Sequence, residues 1–393
     1  MTAAPMRETG VVAWLDQPLE EVLARTRDLL EDTSFPTVRR WREQGGKVLG
    51  HFQVYFPEEI AHAAGLLPFK VRGAPVEPAH AESRFGSYLC SIIKTSLELA
   101  LAHGVELDAF VTHPICDAAR NLAGVWGRNV TYPCRILYLP QNPNSAFAAT
   151  YLCDEYARIR DLCQEIAGRP VTDDQLRDSI AVFNENRALL RRLYAVRREQ
   201  PWLLPVDDAY ALVALAGLIP REDHNALLRS VLPQLERRRV TRQDKIRVIV
   251  EGGFCEQPPL DLLRAIARSC YVVDDDLLIG LRWLTSDVPA SGDPLCSLAA
   301  SYIDRSAHSP VQHDLRKPKE KMLLERLDEA GAQAAILLAA KMCEPGLEEL
   351  VVHTRALDGR GVRYFVSEFE ENMSSFDQIE IQLETFVENL LFD

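Results

Sequence analysis

The stretch AAILLAAKMCEP, Ala334 to Pro345, constrains the fold more than any other part of the chain. It is apolar or small without interruption as far as Lys341. A short run of this kind between helical patterns reads as a strand of a parallel sheet, covered on both faces. Pro345 ends the strand and suits the first turn of a following helix. Cys343 therefore stands where a strand passes into a helix, at the edge of an open α/β sheet where ligands bind. DAFVTHPICDAARNL, Asp108 to Leu122, has the same layout and puts Cys116 at the corresponding place. Either cysteine alone reads as a buried core thiol. Two at equivalent strand ends point to metal.

The surrounding pattern predicts an α/β protein: two small four-stranded parallel-sheet, Rossmann-like lobes joined by a helical region. Residues 1–44 form an amphipathic helical segment. Residues 45–145 alternate strand and helix four times, with strands expected at Lys47–Phe56, Leu66–Val71, Ala109–Cys116 and Cys134–Leu139. A long helix is expected over Ser83–His103, carrying Cys90. Residues 146–240 are helices only. Residues 241–393 return to alternation, with strands at Ile246–Glu251, Tyr271–Val273, Ala334–Cys343 and Val362–Ser367. The two alternating halves share a layout without close identity. A cleft between them would bring the two cysteine-bearing strand ends together.

Composition narrows the function. A net charge of −13 over 393 residues disfavours a nucleic-acid partner. No apolar run is long enough to span a membrane, and the first ten residues lack the apolar core of a signal peptide. A cytoplasmic location is expected, where the nine cysteines stay reduced and serve metal binding, catalysis or packing and not a disulfide framework. No CxxC pair and no GxxxxGKS/T loop occur. Any ATP chemistry therefore belongs to another chain.

Tyr88-Leu89-Cys90-Ser91, Cys116-Asp117 with Arg120-Asn121, and Lys341-Met342-Cys343-Glu344-Pro345 together resemble the three cysteine motifs of the benzoyl-CoA reductase and 2-hydroxyacyl-CoA dehydratase superfamily. Gly50 to Gly65, with Pro57-Glu58-Glu59-Ile60, resembles its N-terminal signature; Asp274-Asp275-Asp276 and Gln382 to Glu388 also fit. The likeness runs from about Val48 to the end. Chain length and the stretches at Gly50–Lys70 and Gly86–Lys94 look closest to the smaller, C-type (gamma) subunits of ATP-dependent benzoyl-CoA reductases.

The resemblance implies one [4Fe–4S] cluster held by Cys90, Cys116 and Cys343, with Cys255 in reserve. Thiolates are natural ligands for such clusters. The other cysteines, Cys134, Cys153, Cys163, Cys270 and Cys296, are read as core or incidental. His113 and Glu344 are weak candidates for proton handling. Each has a plainer reading, as a structural histidine and a first-turn acid. Asp117 shares the second of these, and His51 the first. Lys341 offsets cluster charge or pairs with an acid, and Asp274 to Asp276 cap a helix or line the cleft.

The implied activity is dearomatisation of benzoyl-CoA to a cyclohexa-1,5-diene-1-carbonyl-CoA. The implied partners are a homologous larger cluster-binding subunit, ATP-hydrolysing activator-type subunits, ferredoxin and the aromatic acyl-CoA. The same motifs fit a subunit of a 2-hydroxyacyl-CoA dehydratase, a ketyl-radical lyase. They also fit a non-catalytic subunit that relays electrons or supports its larger partner.

Overall fold

The computed structural model describes residues 10–52, 54–86, 88–252, 258–309, 312–371, 373 and 375–392. Cys255 lies outside the described residues.

Two helices, α1 (Leu19–Glu31) and α2 (Pro36–Glu43), lead into the first alternating stretch. This comprises β1 (Val48–Phe52), α3 (Glu58–Ala63), β2 (Leu67–Val71), α4 (Ala79–Glu82), α5 (Ser91–Ala102), β3 (Ala109–Thr112), α6 (Asp117–Asn129) and β4 (Cys134–Ile136). Helices α7 (Ala148–Ala167), α8 (Asp173–Glu199), α9 (Val206–Ala214) and α10 (Arg221–Arg237) follow. The second alternating stretch is β5 (Ile246–Glu251), α11 (Leu260–Ser269), β6 (Cys270–Asp275), α12 (Pro294–Arg305), α13 (Lys319–Ala330), β7 (Ala334–Ala340), α14 (Glu344–Arg360), β8 (Arg363–Phe369) and α15 (Asp377–Phe392).

Both sheets are four-stranded and parallel throughout, as expected, and their orders correspond strand for strand: β2-β1-β3-β4 and β6-β5-β7-β8. Every residue of β1, β3 and β7 is buried, whereas the edge strands β4 and β8 are partly open. That difference explains why AAILLAA reads as a continuous apolar run and RYFVSEF does not.

The long helix expected over Ser83–His103 is shorter: only α5, Ser91–Ala102, is helical there, and the preceding helix α4 ends at Glu82. Cys90 has extended backbone (φ −60°, ψ 151°) and α5 begins only at Ser91. The Glu98 carboxylate of α5 accepts the His80 and Ala81 amides at the start of α4, at 2.9 and 2.8 Å. The two helices therefore lie side by side, and Gly86 falls in the turn between them. A second expectation also fails: Cys153 and Cys296 are joined as a disulfide. Their helices, α7 and α12, pack together and bring the two Cα atoms to 4.9 Å, within the range a disulfide spans.

Helix α8 connects the halves. It opens on a capping box, in which Thr172 Oγ1 accepts the Gln175 amide (3.2 Å) and Gln175 Oε1 accepts the Thr172 amide (3.0 Å). Further along, Arg187 pairs with Glu59 at the start of α3, behind β1. In its last turns Tyr194 Oη donates to Asp275 (3.0 Å), Arg197 to Asp275 (2.5 Å) and Arg198 to Asp274 (3.0 Å), all at the end of β6. Beyond the helix, Tyr55 after β1 stacks on Trp283 after β6, with ring centroids 6.3 Å apart. Gly280 lies so close to the Val54 carbonyl that a Cβ there would sit 1.6 Å from the oxygen. The carboxyl-terminal edges of the two sheets thus face one another.

Arg197 is fully buried, and Arg197→Met would leave the Asp275 carboxylate short of a partner. Loss of one member of a buried pair costs about 3–5 kcal/mol. Urea unfolding of this variant is expected to show a loss of that order, and a loss below about 1 kcal/mol would show that α8 is not fastened through this pair.

Candidate functional site

Cys90, Cys116 and Cys343 are each the residue that caps the amino terminus of a helix: α5, α6 and α14. These helices follow β2, β3 and β7 in parallel units, which places all three amino termini at carboxyl-terminal sheet edges. Helix amino termini present unpaired N–H groups and partial positive charge, an environment that favours thiolate over thiol. At Cys116 this is explicit: the Ala119 amide donates to Sγ at 3.5 Å. The preceding strands stop earlier than the sequence suggests, at Thr112 and Ala340, and short connections carry the chain on to each cysteine. In the second of these Met342 adopts a left-handed backbone (φ 60°), unusual for a residue with a side chain and a form of strain associated with functional sites.

Cys116 and Cys343 feel each other's charge. Burial raises the Cys116 thiol above its ordinary value, the Ala119 amide opposes this, and Cys343 and Glu344 add to the rise. Cys90 is tied to the same region through α5. Thr95 Oγ1 donates to Glu371, which follows β8, at 3.3 Å. The backbone beside Cys343 is pinned to that strand by the Lys341 amide, which donates to the Phe369 carbonyl (3.0 Å). All three cysteines are unbridged thiols. Of the remaining unbridged ones, Cys163 and Cys270 are buried, and burial raises both thiols, that of Cys270 to about 12. Cys134 is half-buried beside Gly127.

The neighbouring polar residues sort themselves by geometry. Lys341 pairs with Glu370 at 3.5 Å. Glu344 and Asp117 are exposed acids in the first turns of their helices. His113 is buried, and burial lowers its imidazole to about 4. Its Nδ1 lies 3.1 Å from the Leu137 carbonyl, which can only accept, so the proton sits on Nδ1 and Nε2 carries the lone pair. At neutral pH this residue stays neutral and resists taking up a proton, so it is no reservoir of one. His51, on the adjacent strand β1, is bonded to Glu58 at 2.8 Å, and Glu58 is in turn paired with Arg221. Asp274 and Asp275 are buried ion-pair partners. Burial pushes Asp274 up, but Arg326, Arg282 and Arg198 outweigh it and hold the carboxyl at about 2.

A cavity of about 550 Å³ opens between the halves. It is lined by Tyr55 and Glu59 from the first, Arg187 and Tyr194 from α8, and Asp274 and Arg326 from the second. None of the described cysteines lines it. Sequence reasoning placed Glu58 and Glu59 within the N-terminal signature and missed their burial against Arg221 and Arg187. Arginines more than a hundred residues away leave no local signal.

Residues 53–390 match the family model described as 2-hydroxyglutaryl-CoA dehydratase, D-component. The chain belongs to this family. Among relatives, it is 34% identical to the C-type subunit of benzoyl-CoA reductase from Thauera aromatica, over 94% of this chain and 98% of that one. It is 27% identical to the beta subunit of lactoyl-CoA dehydratase from Anaerotignum propionicum (95% and 99%). It is 23% identical to the (R)-2-hydroxyglutaryl-CoA dehydratase beta subunit of Acidaminococcus fermentans (89% and 94%). The matched region of this dehydratase and reductase family takes in all three capping cysteines, the whole second sheet and three of the four strands of the first, leaving out β1. No described helix is long and apolar enough to cross a membrane.

His113 and His224 fix the sign of the acid response. Burial lowers both below the ordinary 6.5, to about 4 and about 3. The unfolded chain therefore binds protons that the folded chain refuses as pH falls below 6.5. Stability contributed by these groups is present above pH 6.5 and declines progressively toward pH 4 and below. Melting temperatures over this range are expected to fall, and His113→Gln to make the slope shallower. An unchanged slope would show that His113 is not held neutral.

Proposed function

We propose that this chain is the iron–sulfur subunit of a benzoyl-CoA reductase, working in the cytoplasm. In this reading it joins a homologous larger cluster-binding subunit, ATP-hydrolysing activator-type subunits and reduced ferredoxin to convert benzoyl-CoA to cyclohexa-1,5-diene-1-carbonyl-CoA. The observation that carries the reading is the matched placement of Cys116 and Cys343. They cap equivalent helices in two sheets of identical strand order and are near enough to feel each other's charge. The likeness to the C-type benzoyl-CoA reductase chain supports this reaction.

The donor chemistry suits a [4Fe–4S] cluster: three unbridged thiols at helix amino termini, where N–H groups offset the negative charge of the thiolates. When bound, the cluster would supply single electrons at low potential, with three irons held by Cys90, Cys116 and Cys343 and the fourth left for another ligand. The protein's part is to hold those thiolates on rigid helix starts and to exclude water from the ring that accepts the electron. The thioester carbonyl spreads the added charge. His113, held neutral by burial and with Nε2 able only to accept a hydrogen bond, is not the primary proton donor. Tyr88 and Met342, beside two of the cysteines, are exposed, as are Leu347 and Val351 on α14. They form apolar surface for the larger subunit to cover.

The likeness to lactoyl-CoA and 2-hydroxyglutaryl-CoA dehydratase subunits supports a second reading, a ketyl-radical dehydratase. The two differ in electron balance. A reductase consumes electrons with each turnover, whereas a dehydratase recycles one.

The chain purified anaerobically with its partners is expected to reduce benzoyl-CoA only with ATP and a strong reductant present. The chain alone is expected neither to hydrolyse ATP nor to reduce the substrate. Dehydration of a 2-hydroxyacyl-CoA without net electron use would replace the reductase reading by the second. For the cluster, Cys90→Ala, Cys116→Ala and Cys343→Ala should each lower iron and acid-labile sulfide together, while Cys163→Ala leaves them unchanged. Full iron and sulfide in Cys343→Ala would remove the assignment.

A further inference from the structure

At the carboxyl end of β5, the structure holds a compact cluster of metal-binding side chains that the reductase reading leaves unused. Glu251 is the last residue of β5, His308 follows α12, and His353 stands in the third turn of α14. One carboxylate oxygen and one nitrogen from each imidazole all lie within 4.8 Å of one another. The residues are buried, with exposures of 0%, 5% and 1% respectively.

Buried polar atoms are ordinarily hydrogen-bonded. Here several are not. Glu251 Oε2, His353 Nε2 and both carboxylate oxygens of Glu349, one helical turn before His353, make no hydrogen bond. Glu349 Oε1 lies 3.4 Å from His308 Nε2 and 3.8 Å from His353 Nε2. These groups therefore converge at ion-pair distance, with Oε2 of Glu251 and Nε2 of His353 left without a hydrogen bond. Asp276 adds another carboxylate: Oδ2 accepts the Gly252 amide (2.9 Å) and Oδ1 has no partner. The nearby permanent cations are Arg326, bonded to Glu251 and also 3.5 Å from Asp274, and Lys319, 3.8 Å from Glu349. Asp274 takes up part of Arg326's charge, so Glu251, Glu349 and Asp276 exceed the cations that face them. Uncompensated buried carboxylates are costly, and a dication at the common centre resolves both the charge and the missing bonds.

We propose that Glu251, His308 and His353 bind a divalent first-row transition ion, separate from the cysteine site, with Glu349 placed to complete the shell. Two imidazoles and one carboxylate suit such ions, zinc and ferrous iron among them, and a three-residue set leaves room for a further ligand. The ion would tie β5 and the segment after α12 to α14, the helix that begins at Cys343.

The test uses the full-length chain with its iron–sulfur content measured, freed of loosely held metal by a chelator and titrated anaerobically with Co²⁺. One equivalent should bind, with the visible d–d absorption of a nitrogen and oxygen site and no thiolate charge-transfer band. Zn²⁺ should displace it and raise the melting temperature. His353→Ala and His308→Asn should weaken binding at least about tenfold, the smaller cost typical even of residues that only support a ligand. Iron and sulfide should be unchanged in both. Because wild-type titration needs no variant to fold, it stands alone. Absence of Co²⁺ and Zn²⁺ uptake, a thiolate band, or unaltered affinity in His353→Ala would each overturn the proposal.

Discussion

The arrangement rests on guanidinium groups placed between buried carboxylates at the meeting point of two sheets. Glu58 and Glu59 leave β1 and Asp274 and Asp275 end β6; all four are buried, and each finds an arginine from the intervening helices. Arg187, Arg197 and Arg198 come from one helix, α8, and Arg221 from α10. Such pairs add little stability compared with an apolar core of equal volume, but removing one partner strands a charge. They therefore act as a specification. Only one placement of α8 satisfies both sheet ends at once, and that placement sets how the sheets face each other.

With the edges opposed, the rest of the candidate site follows from parallel topology. A parallel strand delivers the start of its following helix to its own carboxyl end, so matched strand orders deliver matched helix starts. Cys116 and Cys343 are such a pair. Cys90 caps the crossover helix between β2 and β3, whose Thr95 touches Glu371 from beyond the opposite sheet's last strand.

Much of this was legible in the sequence, and the boundary of what was legible is physical. The run Ala334–Ala340 declared a covered parallel strand because burial on both faces removes any need for polar alternation. Pro345 fixed where the helix after Cys343 begins. The Ser83–His103 helix was read too long because its apolar spacing runs through the turn at Gly86; what folds the start of α5 back onto α4 is Glu98 accepting the amides of His80 and Ala81, a tertiary contact with no pattern of its own. The pairing of Cys153 with Cys296 was invisible for a similar reason. It depends on α7 lying against α12 across 143 residues of sequence. The convergence of Glu251, His308 and His353 joins three separate elements and shows no spacing motif at all.

The contact of Gly280 with the Val54 carbonyl bears on how the protein can move. Where two bodies meet through long side chains, they slide by changing rotamers, and the interface yields gradually. At Gly280 backbone rests on backbone, and there is no torsion to spend: any shear brings hard atoms into collision or parts them outright. Rocking of the halves is blocked at this point. Any change in how the cysteine-bearing helix starts are exposed would instead be borne by the short connections after the strands, such as the bent one at Met342.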